Sequence, residues 1–389
     1  VACGPVATGR TCFDVADIVR RHRDELEARY QLSTSQRRVL SAIALCRTAA
    51  LGGHLELCPS CGYEHPAYNS CRNRHCPKCQ ALAQEKWIAA RSERMLPVGH
   101  FHAVFTLPAQ LRPLASYQPK LIYDALFQAA SLTLLELGRS RLEAQLGVTM
   151  VLHTWTRTLQ LHPHVHAIVT AGGLSLDALR WVPSARKFLF PLHAMSEVFR
   201  AKMLGALANL RELGRFDGFD DFRDPEAFDR LMGSLSRTGW IVYAKKPFAG
   251  VDQVLKYLGR YTHRVAIANS RLINVTDSAV TFRTKSGKTC TVPPVEFLRR
   301  FLLHVLPDGF VKIRHYGLLA SANVDSKLEV ARKLLEPCAI PPTDTAPPSE
   351  ATCLDMLQSL TGRDARICPR CGTALVRKPI PRPNARSPP

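Results

Sequence analysis

The chain has 389 residues, is 46% hydrophobic, and carries 52 basic against 32 acidic side chains for a net charge of +20. That length and apolar content supply cores for two domains, or for one large domain with appendages. The charge excess points to a polyanionic partner, nucleic acid first, and no apolar run approaches the ~20 residues that span a bilayer. The opening Val1–Pro5 lacks the charged-then-apolar layout of a signal peptide. Thirteen cysteines with no export signal favour metal binding over disulfides.

Residues 13–51 read as packing helices. Asp14 caps a first segment in which Val15, Ile18 and Val19 recur at helical spacing, and Ser33, Thr34 and Ser35 open a second with Val39, Leu40, Ile43 and Ala44. Five cysteines then crowd between Cys58 and Cys79. Cys58 and Cys61, and Cys76 and Cys79, form two Cys-Pro-x-Cys knuckles separated by fourteen residues, the spacing of a ribbon that holds tetrahedral zinc through four thiolates. Cys46, His54, Cys71 and His75 remain, either as a second zinc set or as buried and supporting residues. Arg72, Arg74, Lys78 and Lys86 around the knuckles suit contacts to DNA phosphate.

After a helix over 80–95, His100–Pro108 reads as a strand rich in β-branched and aromatic residues and stopped by Pro108. Residues 119–145 are helical, and residues 148–160 form another strand. A short turn leads to Leu161–Val169, which Gly172 and Gly173 end, so two antiparallel strands are expected here. Side chains alternate along a strand, which puts His164 and His166 on one face as a pair of divalent-metal ligands. Residues 187–235 are helical with an acidic loop over 217–224, and Trp240–Ala244 is a strand.

Residues 252–264 wind as an amphipathic helix with Val251, Val254, Leu255 and Leu258 on its apolar face. Tyr257 and Tyr261 are four apart, so their hydroxyls lie side by side at the margin of that face, next to Arg260 and Arg264. Two amphipathic tyrosines closing the edge of a core would give the same pattern. Residues 275–292 read as a hairpin; Lys285–Thr289 lacks the first glycine of a phosphate loop and is flanked by strand. A helix from Pro294 and a basic extended segment over Phe310–Gly317 follow. Beyond Pro337 the Pro-, Ser- and Thr-rich chain is expected to be flexible; Cys368 and Cys371 are half a zinc ribbon, but Cys338 and Cys353 are poorly spaced as its partners, so no structured second ribbon is expected.

A histidine pair on a strand, two tyrosines on a helix and a Phe-Thr-Leu strand resemble the three motifs of rolling-circle endonucleases, the His-hydrophobe-His (HUH) superfamily. The resemblance is closer to the two-tyrosine transposases of the IS ninety-one type. It rests on Cys58 to Cys79, His153-Thr154-Trp155, His162 to His166 followed by Gly172-Gly173, Tyr257 and Tyr261, and the run from Glu296 to Gly317, in that order over roughly residues 40–320.

The resemblance implies an α/β protein, an HUH-nuclease-like central antiparallel sheet flanked by helices and preceded by a small zinc-binding module. The expected division is a helical segment over 1–45, the zinc module over 46–82, the nuclease over 83–335 and a flexible tail over 336–389. It implies structural Zn²⁺, catalytic Mg²⁺ or Mn²⁺ on His164 and His166, and single-stranded transposon ends and target DNA as partners, in a bacterial cytoplasm. Tyr257 and Tyr261 would be the nucleophiles, with Arg260, Arg264 and Lys256 beside the phosphate. His153 or Gln160 on the preceding strand would supply a third ligand; His162 faces the same way but lies about 13 Å from His166 along an extended strand. Arg157 stands where some relatives have an amide, and His263-Arg264 where many have Lys after the second tyrosine. A plasmid or phage replication initiator, a relaxase, or an inactive zinc-containing DNA-binding protein are the alternatives.

Overall fold

The computed structural model describes residues 13–383 apart from Glu93, 186–188, 249–252, 255–258, 260–265, Ser286 and 337–351. In chain order its elements are α1 (Val15–Arg29), α2 (Thr34–Leu45), β1 (Gly53–Leu57), β2 (Glu64–Tyr68), α3 (Gln80–Ser92), β3 (His100–Thr106), α4 (Arg112–Tyr117) and α5 (Pro119–Leu142). Then come β4 (Ala144–Trp155), β5 (Leu161–Ser175), β6 (Trp181–Pro183), α6 (Leu192–Glu212), α7 (Pro225–Arg237) and β7 (Val242–Phe248). The rest are β8 (Leu272–Val275), β9 (Val280–Arg283), β10 (Thr289–Val292), α8 (Pro294–Leu302), β11 (Ile313–Gly317), α9 (Lys327–Leu335), α10 (Cys353–Thr361) and β12 (Val376–Ile380).

The central sheet is antiparallel throughout, in the order β11-β4-β5-β3-β7 with β6 beside β5. Alternation divides its residues between two faces. Phe101, Ala103 and Phe105 of β3, Val148, Met150 and Leu152 of β4, and Val165, Ala167 and Val169 of β5 point into the main core against α5 and α6. α5 is long and apolar enough by composition to cross a membrane, but 67% of its apolar window is buried, and Leu126, Phe127, Ala130 and Leu134 pack on the sheet. Its hydropathy belongs to a core helix. β7 extends past the expected Ala244 through Lys245, Lys246 and Pro247. It lies at the sheet's edge, where a proline without an N–H can be accommodated.

A second core joins α1, α2, α8 and the sheet β10-β9-β8 around Leu40, Ile43, Phe282, Phe297 and Phe301. The sequence signals at its start hold. The Asp14 carboxylate accepts from Ala16 N, and Ser33 and Gln36 form a reciprocal capping box on α2. Asp14 also accepts from Asn269 Nδ2 at 3.0 Å, tying α1 to the segment before β8.

The third sheet departs from expectation. β12 pairs with β1 over five residues, from Gly53 opposite Ile380 to Leu57 opposite Val376, and β2 pairs on the other side of β1. The end of the chain, expected to be flexible from its composition, therefore folds onto the amino-terminal module over Val376–Ile380. Its strand hydrogen bonds come from a partner more than three hundred residues away, which local composition does not reveal.

The two larger units meet at the turn between β4 and β5. Arg300 donates to Thr158 O at 3.2 Å and Arg271 to Arg157 O at 2.6 Å. His304, 1% exposed, lies between Thr154 Oγ1 at 3.1 Å and Leu159 O at 3.2 Å. Donation from Nε2–H to that carbonyl and acceptance at Nδ1 from the hydroxyl require a neutral ring, and burial lowers its pKa to about 4. The unfolded chain takes up this proton below its ordinary value of about 6.5, so the contribution is complete above that pH and is lost as the pH falls towards 4. Between pH 7 and pH 5 His304 is expected to remove about 2 kcal/mol of stability. Urea unfolding of wild type and His304→Gln at both pH values checks this; the variant should lose correspondingly less on acidification.

Candidate metal centre

His164 and His166 project from the face of β5 opposite the main core, as alternation requires. His153 of β4 lies directly across from His164 in the strand register. One nitrogen from each of His153, His164 and His166 falls within 4.8 Å of the others, close enough to share an ion. The ring centroids are 5.0 Å apart for His164 and His166 and 4.4 Å for His153 and His166.

Hydrogen bonds orient two of these rings. His164 Nδ1 is 2.6 Å from His162 O, so Nδ1 carries the proton and Nε2 the lone pair. His166 Nδ1 is 2.8 Å from Nε2 of His102, a buried β3 residue whose ring stacks on it at an interplanar angle of 6°. With His166 Nδ1–H donating to His102 Nε2, Nε2 of His166 keeps its lone pair for an ion, the arrangement outer partners give metal-binding imidazoles. Burial lowers the pKa of His164 to about 4 and takes that of His166 well below its ordinary value. Both rings are therefore neutral near pH 7, the state that binds a cation.

The three histidines line a cleft of about 440 Å³ with Trp155, whose ring stacks on His153 at 4.6 Å. Arg157, Arg271 and Arg283 border it. Arg271 donates to Arg283 O at 2.8 Å, joining β9 to the β4–β5 turn beside the cleft. The Nζ of Lys312, just before β11, lies 5.3 Å from the centroid of Trp155, and burial brings its pKa to about 7. An aromatic face and guanidinium groups thus lie beside the histidine group, a combination that suits contact with nucleic acid.

Among the proposed third ligands, His153 joins the group while Gln160 and His162 do not. Gln160 is exposed in the turn, and its backbone N–H donates to Thr156 Oγ1. His162 lies one strand repeat further out, with its ring 5.2 Å from that of His164. Lys256, Tyr257, Arg260, Tyr261 and Arg264 lie outside the described residues. Two of their neighbours are described. Val254 is buried against Val151 and Ile168, on the histidine-bearing face, and a Cβ on Gly259 would come within 2.6 Å of Ile88 Cδ1 on α3.

The zinc knuckles are not paired as their spacing suggested. Cys76 and Cys79 gather with Cys46 and Cys71, with sulfur separations of 3.2 Å from Cys46 to Cys79 and 3.5 Å from Cys71 to Cys79. Cys46 caps the end of α2, so this group is continuous with the second core. Cys58 and Cys61 lie with Cys368 and Cys371 instead, because the pairing of β1 with β12 brings those knuckles together. Neither remaining histidine joins a cysteine group. His54 lies 3.6 Å from Glu56, while buried His75 accepts from Leu306 N at 3.1 Å and has its pKa lowered to about 3 by burial. His102 has the same period-two signal as His164, in His100-Phe101-His102, whereas Arg271 and Arg283 reach the cleft, and Lys312 the Trp155 ring, only through tertiary contacts.

Residues 147–327 match a family model described as "Putative transposase", and residues 18–107 match one described as "Transposase zinc-binding domain". A protein of Sinorhizobium fredii named "Putative transposase y4qJ" is 44% identical over 370 residues, covering 92% of each chain. "Transposase for insertion sequence element IS801" of Pseudomonas savastanoi pv. phaseolicola is 28% identical over 355 residues, 85% of this chain and 80% of that one. No solved structure matches. Matched along almost its full length, with a zinc-binding domain ahead of the transposase domain, the chain belongs to the transposases of the IS ninety-one insertion-sequence type.

Proposed function

We propose that this transposase nicks and rejoins single-stranded DNA by tyrosine transesterification, with His153, His164 and His166 holding a divalent ion, Mg²⁺ or Mn²⁺. The observation that carries the reading is the convergence of three imidazoles on an arginine-bordered cleft. When bound, the ion supplies positive charge that polarises the scissile phosphate. Tyr257 or Tyr261 attacks phosphorus with its phenolate oxygen; the 3′-oxygen leaves, and a 5′-phosphotyrosine conserves the bond energy for rejoining. Val254 and Gly259 flank Tyr257 in sequence, and Val254 packs on the histidine-bearing face, which supports delivery of that segment to the cleft. A second tyrosine allows one to retain a DNA end while the other acts, the requirement of rolling-circle transfer. Arg260, Arg264 and Lys256 assist at the phosphate. Cys46, Cys71, Cys76 and Cys79 hold structural Zn²⁺ as four thiolates.

The test is a denaturing gel of labelled single-stranded DNA from the flanks of the gene, incubated with Mn²⁺ or Mg²⁺. A protease-sensitive covalent band is expected with wild type and none with the Tyr257→Phe, Tyr261→Phe double variant. Tight binding without a covalent band on any flank would favour a catalytically inactive zinc-containing DNA-binding protein.

A further inference from the structure

We propose that Cys58, Cys61, Cys368 and Cys371 bind one Zn²⁺ through four thiolates, so that the carboxy-terminal segment supplies half of a zinc site whose other half ends at Cys61, 307 residues before Cys368. The matched zinc-binding domain spans residues 18–107 and includes neither Cys368 nor Cys371.

The sulfurs are placed for tetrahedral zinc. Cys58 and Cys371 are 3.4 Å apart and Cys61 and Cys368 are 3.6 Å apart. Thiolates at about 2.3 Å from a tetrahedral ion stand about 3.8 Å from one another. The two halves share one local build. Cys58 N–H donates to Tyr63 O and Gly62 N–H to Cys58 O; Cys368 N–H donates to Thr373 O and Gly372 N–H to Cys368 O. Gly62 and Gly372 have φ of +66° and +76°, a left-handed conformation that favours glycine directly after the second cysteine. In each half the first cysteine is buried and the second exposed.

The backbone aims these knuckles at each other. β1 runs into Cys58, and β12, its antiparallel partner, begins just beyond Cys371. Arg370, inside the second knuckle, also holds its guanidinium carbon 5.3 Å from the ring centroid of Tyr63, just after the first. The other candidate partners for Cys58 and Cys61, Cys76 and Cys79, are engaged with Cys46 and Cys71. The metal thus closes a loop that contains the whole transposase domain, and α10, carried by the same tail, packs on α3.

Zinc content of the full-length protein tests the proposal, measured by elemental analysis after dialysis against a weak chelator. Wild type and a Cys290→Ser control should each hold two zinc ions per chain, and Cys368→Ser, Cys371→Ser one. Two ions retained in the double variant would overturn the site. A second measurement keeps all cysteines in case that variant fails to fold. With a protease site inserted between Glu336 and Thr352, the cut carboxy-terminal fragment should co-elute with the remainder in zinc and separate after strong chelation. Separation before chelation would overturn the proposal.

Discussion

His166→Ala is expected to reduce nicking of single-stranded DNA by at least about 10²–10³-fold while leaving DNA affinity within about twofold, the usual scale for removing a group that stabilises transition-state charge. His166 is the best-placed residue for this test. It is 8% exposed, its Nδ1 is occupied by His102, and it lies next to both other imidazoles. Losing it removes one of three nitrogen donors and leaves Arg157, Arg271 and Arg283 at the cleft. His164→Ala should behave in the same way. Parallel nicking assays in Mn²⁺ and anisotropy titrations of labelled DNA separate the two effects, and a thermal melt of each variant checks folding. Undiminished nicking in both would place the ion elsewhere.

A comparably large effect is expected from Cys76→Ser, on stability. Structural zinc in small modules contributes on the order of 10 kcal/mol of folding free energy. Here the metal group is continuous with a core: Cys46 and Cys76 are each 1% exposed, in the cluster that contains Leu40, Ile43, Phe297 and Phe301. Hydrogen exchange should therefore accelerate in α2 and α8 as well as around the knuckle, in both the variant and the chelated wild type. In contrast, β4 and β5 belong to the main core and should stay protected. Unchanged exchange in α2 after complete zinc removal would show that the packing stands without the metal.

The parts of this molecule that were legible in its sequence are those fixed by local periodicity. Val165, Ala167 and Val169 announce a buried strand face, and that alone assigns His164 and His166 to the other. Asp14 and the Ser33-Thr34-Ser35 run announce two helix starts for equally local reasons. What was not legible depends on register and long-range pairing. Selecting His153 over Gln160 and His162 requires the alignment of β4 with β5. Two chemically equivalent Cys-Pro-x-Cys knuckles give no local clue to their partners, so spacing favours the nearer one, whereas the strand pairing of β1 with β12 selects the distant one. Arg271 and Arg283 line the cleft from elements far along the chain, and no spacing rule links them to a histidine strand.

Pairing by β12 also has a consequence for how this module avoids self-association. β1 is a central strand only while β12 covers one of its sides. A chain ending at Glu336 would turn β1 into an edge, with a row of unpaired backbone donors and acceptors beside two unpartnered knuckle thiols. Such an edge is a template for another copy of the same strand, and the thiols would be available for intermolecular oxidation. The tail therefore acts as a protective cover whose loss should appear first as aggregation, before any change at the histidine cleft.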